Sequence, residues 1–265
     1  MLKTLIRLLY LLTLVIICSF IYTFFFSEIF FGSSIIIPVI GIWVLSAYFF
    51  LPHIHRWFSR IYIPNYFFGR TRTSDGLLGD PVNVAVIGSK KQLIDSMEKS
   101  GWAIADELSF KTSLKTVYAS LLRKSYSTAP VSSLYLFHKK QELAFQKEIN
   151  SNPHKRHHVR FWPTPKKWWL PGGYRADWLG AATYDRKIGF SSLTLQFTHK
   201  ISENTDEERD YLVSNLVKSN PKIEINTADH FTSGYFDRNG GGDRIYTDGA
   251  LPFITLDCKN INNHV

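Results

Sequence analysis

Two stretches near the start of the chain, residues 8–27 and 29–52, contain no Asp, Glu, Lys or Arg. Each is long enough to cross the hydrocarbon core of a bilayer as a helix, which takes about 20 residues. Phe, Ile and Leu occupy every face of both runs, without the polar stripe of a soluble amphipathic helix. The pattern predicts a transmembrane hairpin with spans at about 5–26 and 35–51, joined by "SEIFFGSS" at the interface. Lys3 and Arg7 give the first run a basic start. It lacks a small-x-small cleavage site, and a second apolar run follows at once, which argues against a cleaved signal peptide.

Beyond Arg72 the pattern becomes one of short alternating segments. Residues 53–80 read as an interfacial segment followed by a turn-rich linker, "TSDGLLGDP". "VNVAVIG" alternates as a strand, and "SKKQLIDSMEKS" follows as a helix with Ser89 as N-cap and Gly101 closing it. "SLKTVYASLLRK" predicts a second helix. "SLYLF", "HHVRFW", "ADWLGAATYD" and "SLTLQFTH" predict strands. "TDEERDYLVSNLVKS" predicts a helix with Thr205 and Glu208 at capping-box spacing, and "DRNGGGDRIYTDG" a hairpin tip before a last strand, "LPFITLD". The fold class is α+β: an N-terminal membrane hairpin, then a mixed or antiparallel sheet domain with a few helices over 81–265.

Charge orients this arrangement. Lys3 and Arg7 precede the hairpin, Arg56, Arg60, Arg70 and Arg72 follow it, and its turn carries only Glu28. By the positive-inside rule both termini lie on the cytoplasmic side of the membrane. Cys18 and Cys258 are the only cysteines and form no disulfide framework, in keeping with a reducing compartment. The net charge of +9 could draw nucleic acid, but beside a membrane, attraction to acidic lipid is the simpler explanation.

The segment "KRHHVRFWP" concentrates the candidate chemistry. Strand parity places His157 with Val159 and Phe161, and places His158 with Arg156, Arg160 and Trp162. The same sorting sets His199 in line with Leu193, Leu195 and Phe197, and Asp185 with Leu179 and Ala181. Arg209 extends the apolar stripe of Leu212, Val213, Leu216 and Val217. Buried ionisable groups need partners, so these residues can form a structural network in which Asp185 or Asp206 pairs with Arg209. Alternatively His157, His199 and Asp185 form a catalytic set, either for acid/base chemistry or as two histidines and a carboxylate on a metal. His158, Arg160 and Arg209 would then meet an anionic ligand. "DRNGGGDRIYTD" has calcium-loop offsets but strand-like flanks, and "PTPKKWWLPGG" mixes Lys and Trp as single-strand binders and membrane interfaces both do.

Taken in order, "SLYLF" with "ELAFQKE", "RHHVRFW", "WLGAATYDRKIG", "TH", "DEERDYLV" and "NGGGDRIYTDG" resemble the LssY C-terminal domain family of bacterial proteins, from about Pro81 to Leu256. The resemblance implies a membrane-tethered module associated with type I secretion. Some relatives carry it behind a phosphatidic-acid-phosphatase-type membrane domain, whose Lys, Arg and His pattern is missing here. Where relatives tend to have "LFGR.QD" this chain has "LFHKKQE", with His138 and Lys139 replacing the Gly and Arg. The expected function is therefore binding of a protein partner or anionic lipid by a cytoplasmic domain in an envelope or export process. A membrane-anchored hydrolase using His157, His199 and Asp185 is the alternative.

Overall fold

The computed structural model describes residues 19, 22, 23, 36–62, 69–109, 111, 112, 115, 116, 118, 125–149, 152–232 and 236–256. The chain divides into two compact units, Met1–Ile54 and His55–Val265. Most of the first expected span, and most of the helix expected at "SLKTVYASLLRK", lie outside the described residues.

Helix α1 (Ile36–Leu45) runs through a π-helical turn (Ser46–Phe50) into α2 (Leu51–Tyr62). Among the described residues one helical stretch, Pro38–Phe58, is long and apolar enough to cross a membrane. The structure therefore offers one such helix where the sequence predicts a pair. The helix also continues past residue 51 to Tyr62, because nothing after Pro52 breaks its backbone hydrogen bonding.

In the second unit, β1 (Arg70–Thr73) and β2 (Leu78–Pro81) form a hairpin across the turn-rich residues expected to be a linker. Strand β3 (Val84–Ile87) leads into α3 (Lys90–Lys99), whose Ser89 and Gln92 form the reciprocal capping bonds the sequence suggests for Ser89. There follow β4 (Ala103–Ile104), β5 (Leu134–Leu136), β6 (Lys139–Lys140), β7 (Leu143–Ile149), β8 (Asn152–Pro163), β9 (Trp178–Phe190) and β10 (Phe197–Ile201). Helix α4 (Asp206–Ser219) is followed by β11 (Glu224–Ala228), β12 (Phe236–Arg238), β13 (Arg244–Tyr246) and β14 (Leu251–Thr255).

Two larger sheets result. One has the order β2-β1-β5-β6. The other runs β11-β14-β3-β9-β8-β7-β4, with β10 paired to β9. The β14–β3 pair is parallel and the remaining ladders between described strands are antiparallel. The larger sheet buries both faces. Val84, Val86, Val159 and Phe161 pack with Leu93 and Met97 of α3 and Leu212 and Leu216 of α4. Ala85, Trp162, Leu179, Ala181 and Phe253 pack on the other side with Leu134 and Leu136 of the smaller sheet. Gly180 lets Phe161 lie flat against β9, since a Cβ there would stand 2.7 Å from the ring.

Two local expectations change. Leu193 and Leu195 are exposed in a turn closed by Ser191 N–H to Gln196 O, so the strand leading to His199 starts at Phe197. Leu195 takes a φ of 58°, which strand pairing excludes. At α4 the Thr205 side chain makes no capping bond. Its hydroxyl donates to Tyr246 O, and Glu208 turns away to His157. Val217 is exposed, so the buried stripe of α4 narrows to Leu212 and Leu216 with Val213 partly covered.

Candidate functional site

Cross-strand register builds the polar site. On β8 and β9, Arg156 faces Asp185, His158 faces Thr183 and Arg160 faces Ala181. On β7, Gln146 faces His158. Directly opposed residues project to one side of a sheet, so a polar strip crosses three strands on the face covered by the smaller sheet. That covering sheet takes the basic face of β8 out of solvent. Arg156, His158 and Arg160 are 2%, 3% and 3% exposed.

Such burial requires partners, and the partners are specific. Asp185 Oδ2 accepts from Arg156 Nη2 at 3.3 Å, and its Oδ1 lies 3.4 Å from His158 Nδ1, close but without hydrogen-bond alignment. His158 Nε2 and Thr183 Oγ1 are 2.6 Å apart. Arg160 donates to Asp80 Oδ2 at 3.1 Å, to Ser132 O at 3.0 Å and to Ser132 Oγ at 3.1 Å. Arg156 also donates to Gln146 Oε1 at 3.2 Å and meets His199 Nε2 at 3.3 Å. A guanidinium can only donate, so this contact makes His199 Nε2 the acceptor. Burial by itself would raise the Asp185 carboxyl, but the positive charges of His158 and Arg156 outweigh it and hold the group well below the usual carboxylate range.

A cavity of about 200 Å³ opens onto this strip, bordered by Asp80, Arg156, His158, Arg160, Asp185 and His199. Ser132 lies on one wall and Asn239 to Gly241, from the β12–β13 tip, form another. The tip is tied down: Lys200 Nζ reaches Asp243 Oδ1 at 2.8 Å and Gly241 O at 2.9 Å, and Arg70 pairs with Asp237. Gly240 sits so close to Thr73 that a Cβ would stand 2.7 Å from its methyl. The "NGGGD" stretch thus roofs a cavity, with hairpin strands on either side.

The expected catalytic trio does not converge. Asp185 and His199 share the cavity, whereas His157 projects to the opposite face of β8. There its Nδ1 lies 2.6 Å from Glu208 Oε2, and its ring stacks on Tyr211 at 4.0 Å. His157 therefore cannot join Asp185 and His199 on one metal ion. Among the described residues no group of three or more His, Cys, Asp or Glu is placed to hold one. Burial, then the charges of Lys147 and His158, push the His157 imidazole down to about 4. Burial, then Asp185, push the Glu208 carboxyl up to about 9. Near pH 7 the pair is a neutral imidazole accepting from a protonated carboxyl.

Of the expected ligand-binding residues, His158 and Arg160 line the cavity and Arg209 does not. Arg209 clamps the start of α4 to the 248–250 loop: it donates to Asp248 Oδ1 at 2.7 Å, Asp210 Oδ1 at 2.8 Å, Asp206 Oδ1 at 3.2 Å and Ala250 O at 3.2 Å. Asp206 is thus a partner, as expected for Arg209, while Asp185 is committed elsewhere. Sequence reasoning did not select Asp80, Arg156 or Thr183. Arg156 and Thr183 share the parity of His158 and Asp185 and were detectable on that basis. Asp80 sits in the stretch read as linker and carried no signal.

The chemistry on offer is limited by access. The row Asp185, His158, Thr183 has the order of a carboxylate, an imidazole and a hydroxyl in nucleophilic catalysis. Thr183 is fully buried and does not border the cavity, so its hydroxyl positions His158 and attacks nothing. What faces the cavity is two guanidinium groups, two imidazoles and two carboxylates already engaged by cations.

An α+β domain with a charged cavity between two sheets, in a chain with a helix apolar and long enough to cross a membrane, is the class that fold and site define. A family model described as LssY C-terminus matches residues 60–251, and the chain belongs to that family. The match starts upstream of the expected Pro81 and takes in β1 and β2, in agreement with their place in the fold. Comparison with curated proteins and with solved structures finds no match.

Proposed function

We propose that this LssY-family chain is a membrane-anchored binding protein whose cavity takes up a small acidic group, a phosphate or carboxylate, carried on a lipid headgroup or a soluble molecule. One observation carries the reading. Both cavity carboxylates are engaged by cations, while Arg156 Nε is buried without a hydrogen-bond partner. The remaining capacity of the site is donor capacity, which suits a ligand rich in acceptor oxygens. Inorganic phosphate and a short-chain phosphatidic acid, titrated into the full chain in detergent, are expected to raise its thermal midpoint in a saturable manner. A preference for the lipid would identify the headgroup as the source. Arg156→Lys keeps the charge but loses the fork, and should weaken binding by about tenfold or more, the worth of a charge-assisted hydrogen bond. No saturable response, or unchanged affinity in the variant, refutes the reading.

Hydrolysis is the second reading, favoured by His158 being held between Asp185 and Thr183 as a general acid or base is. Water, with His199 nearby, would be the nucleophile. Phosphate release from a bound ester, lost in His158→Gln with binding retained, would distinguish an enzyme from a binding protein.

Anchorage is supported by the Pro38–Phe58 helix and by its exposed Val39, Ile40, Ile42 and Val44. With the first uncharged run as a second span, the basic flanks put both termini on the cytoplasmic face of a bacterial inner membrane. A reporter fused after Val265 should be active as a cytoplasmic fusion, and one inserted at Gly32 as an external one. The reverse pattern would place the domain outside. The export association rests on family membership, and an envelope or export protein is the partner it suggests.

A further inference from the structure

The segment 164–175 plays no part in the cavity, yet it holds two tryptophans outward. Trp168 and Trp169 are 38% and 51% exposed, and Lys166 and Lys167 beside them are exposed too. The loop is not slack. Trp168 N–H bonds Pro165 O, Leu170 N–H bonds Tyr174 O, and Gly173 N–H bonds Leu170 O, while Leu170 itself is buried in the core. Its shape is set by these bonds, and the shape keeps two large apolar rings in solvent.

Trp168 packs edge-on against Phe137 with ring centroids 5.4 Å apart, which joins the loop to the tip between β5 and β6. That tip carries exposed Lys139 and Lys140. Neither segment, 137–140 or 164–175, contains an Asp or Glu. Lys166 and Lys167 thus precede the indoles directly, and Lys139 and Lys140 follow the Phe137 that Trp168 touches, with no acidic residue in either segment.

We infer that this surface docks on an anionic bilayer, with the indoles at headgroup level and the lysines on lipid phosphates. Indoles favour that depth because they are apolar bodies with one polar edge, and lysines near an acidic leaflet add electrostatic attraction. A single-stranded nucleic acid is the other occupant such residues could suggest, but it needs open ring faces for stacking. One face of Trp169 is already covered by Arg175, 3.6 Å from the ring centre. Docking rests on the anchorage proposed above for the presence of a bilayer, and is independent of the cavity.

The full chain in nanodiscs of brominated phosphatidylglycerol or brominated phosphatidylcholine tests this, since bromine quenches tryptophans it contacts. The quenching lost on replacing Trp168→Phe and Trp169→Phe together isolates this pair from the other tryptophans. It is expected in the anionic lipid, to be weak in the neutral one, and to fall in 0.5 M salt. Lys166→Gln and Lys167→Gln should each shift the docked equilibrium by about fivefold. If those variants fold poorly, the salt dependence of the wild type decides. Equal quenching in both lipids, or none from this pair, overturns the proposal, as does shielding of the pair by a single-stranded oligonucleotide with no quenching by anionic lipid. A chain that fails to enter nanodiscs refutes the anchorage, and docking is then read with the same lipids as added vesicles.

Discussion

Replacing Asp185 by alanine is expected to destabilise the domain by about 3 to 5 kcal/mol, because it strands buried positive charge. Arg156 loses the carboxylate 3.3 Å from its Nη2, and His158 loses the one beside its Nδ1, with both side chains almost wholly out of water. For a domain of this size that corresponds to a fall in thermal midpoint of roughly 6 to 20 °C. Asp185→Asn keeps the shape and removes the charge, so it should destabilise less but still measurably at pH 7. The pH dependence has a definite sign. The folded-state value of Asp185 is depressed below the ordinary 3.8, so its contribution is complete above that pH and is lost as pH falls toward the folded value. The asparagine variant should lose that part of the acid unfolding slope. Stability of Asp185→Asn equal to wild type at pH 7 would show that the ion pairs contribute nothing.

The second large effect is on the other face of the same strand. Unfolded, His157 titrates near 6.5 and Glu208 near 4.5; folded, they titrate at about 4 and about 9. Between pH 4.5 and 6.5 each state holds one proton on the pair, the folded state on Glu208 and the unfolded state on His157, and the two slopes cancel. Between pH 6.5 and 9 the folded pair keeps its proton and the unfolded pair has none. Stability therefore falls as pH rises through that window, by about 2 to 3 kcal/mol across it. In Glu208→Gln an amide donates to His157 Nδ1 without titrating. The variant should lose the alkaline slope and become more stable than wild type near pH 9. Below pH 6.5 it keeps only the histidine's contribution, so its stability should fall toward acid where the wild type is flat. Denaturant midpoints across pH 4 to 9 measure both limbs; parallel curves above pH 6.5 would remove the protonated-carboxyl assignment.

Much of this architecture was legible from the order of polar and apolar residues. Strands at "VNVAVIG", "HHVRFW", "ADWLGAATYD" and "LPFITLD" form, Ser89 caps its helix, and His157 and His158 point to opposite faces. Alternation reports which residues share a face and is silent on what covers that face. Here the cover is a second sheet made partly from "TSDGLLGDP", where four turn residues between two short strands outweigh the strands in any compositional reading. Asp80 was hidden for the same reason. At "SLTLQFTH" the alternation is perfect while the backbone turns at Leu195, a conformation that the residue type does not advertise. Thr205 and Glu208 have the right spacing for a reciprocal cap, but the half-buried His157 imidazole on the strand face that packs against α4 takes the carboxyl. For Asp80 and Glu208 the deciding neighbour is distant in sequence; at Leu195 it is a local turn that alternation does not report.

The placement of β14 has a consequence for how the molecule comes into being. This strand lies between β3 and β11 and pairs in parallel with β3, so Phe253 and Ala85 become neighbours from opposite ends of the domain. During synthesis the sheet stays open at β3 until the ribosome has released residue 256 or so, and closing it then demands a long-range search, which slows folding. The domain therefore cannot complete its core before β14 has emerged, and until then an unpaired strand edge waits at β3, the stage at which a nascent chain is most exposed to misassembly.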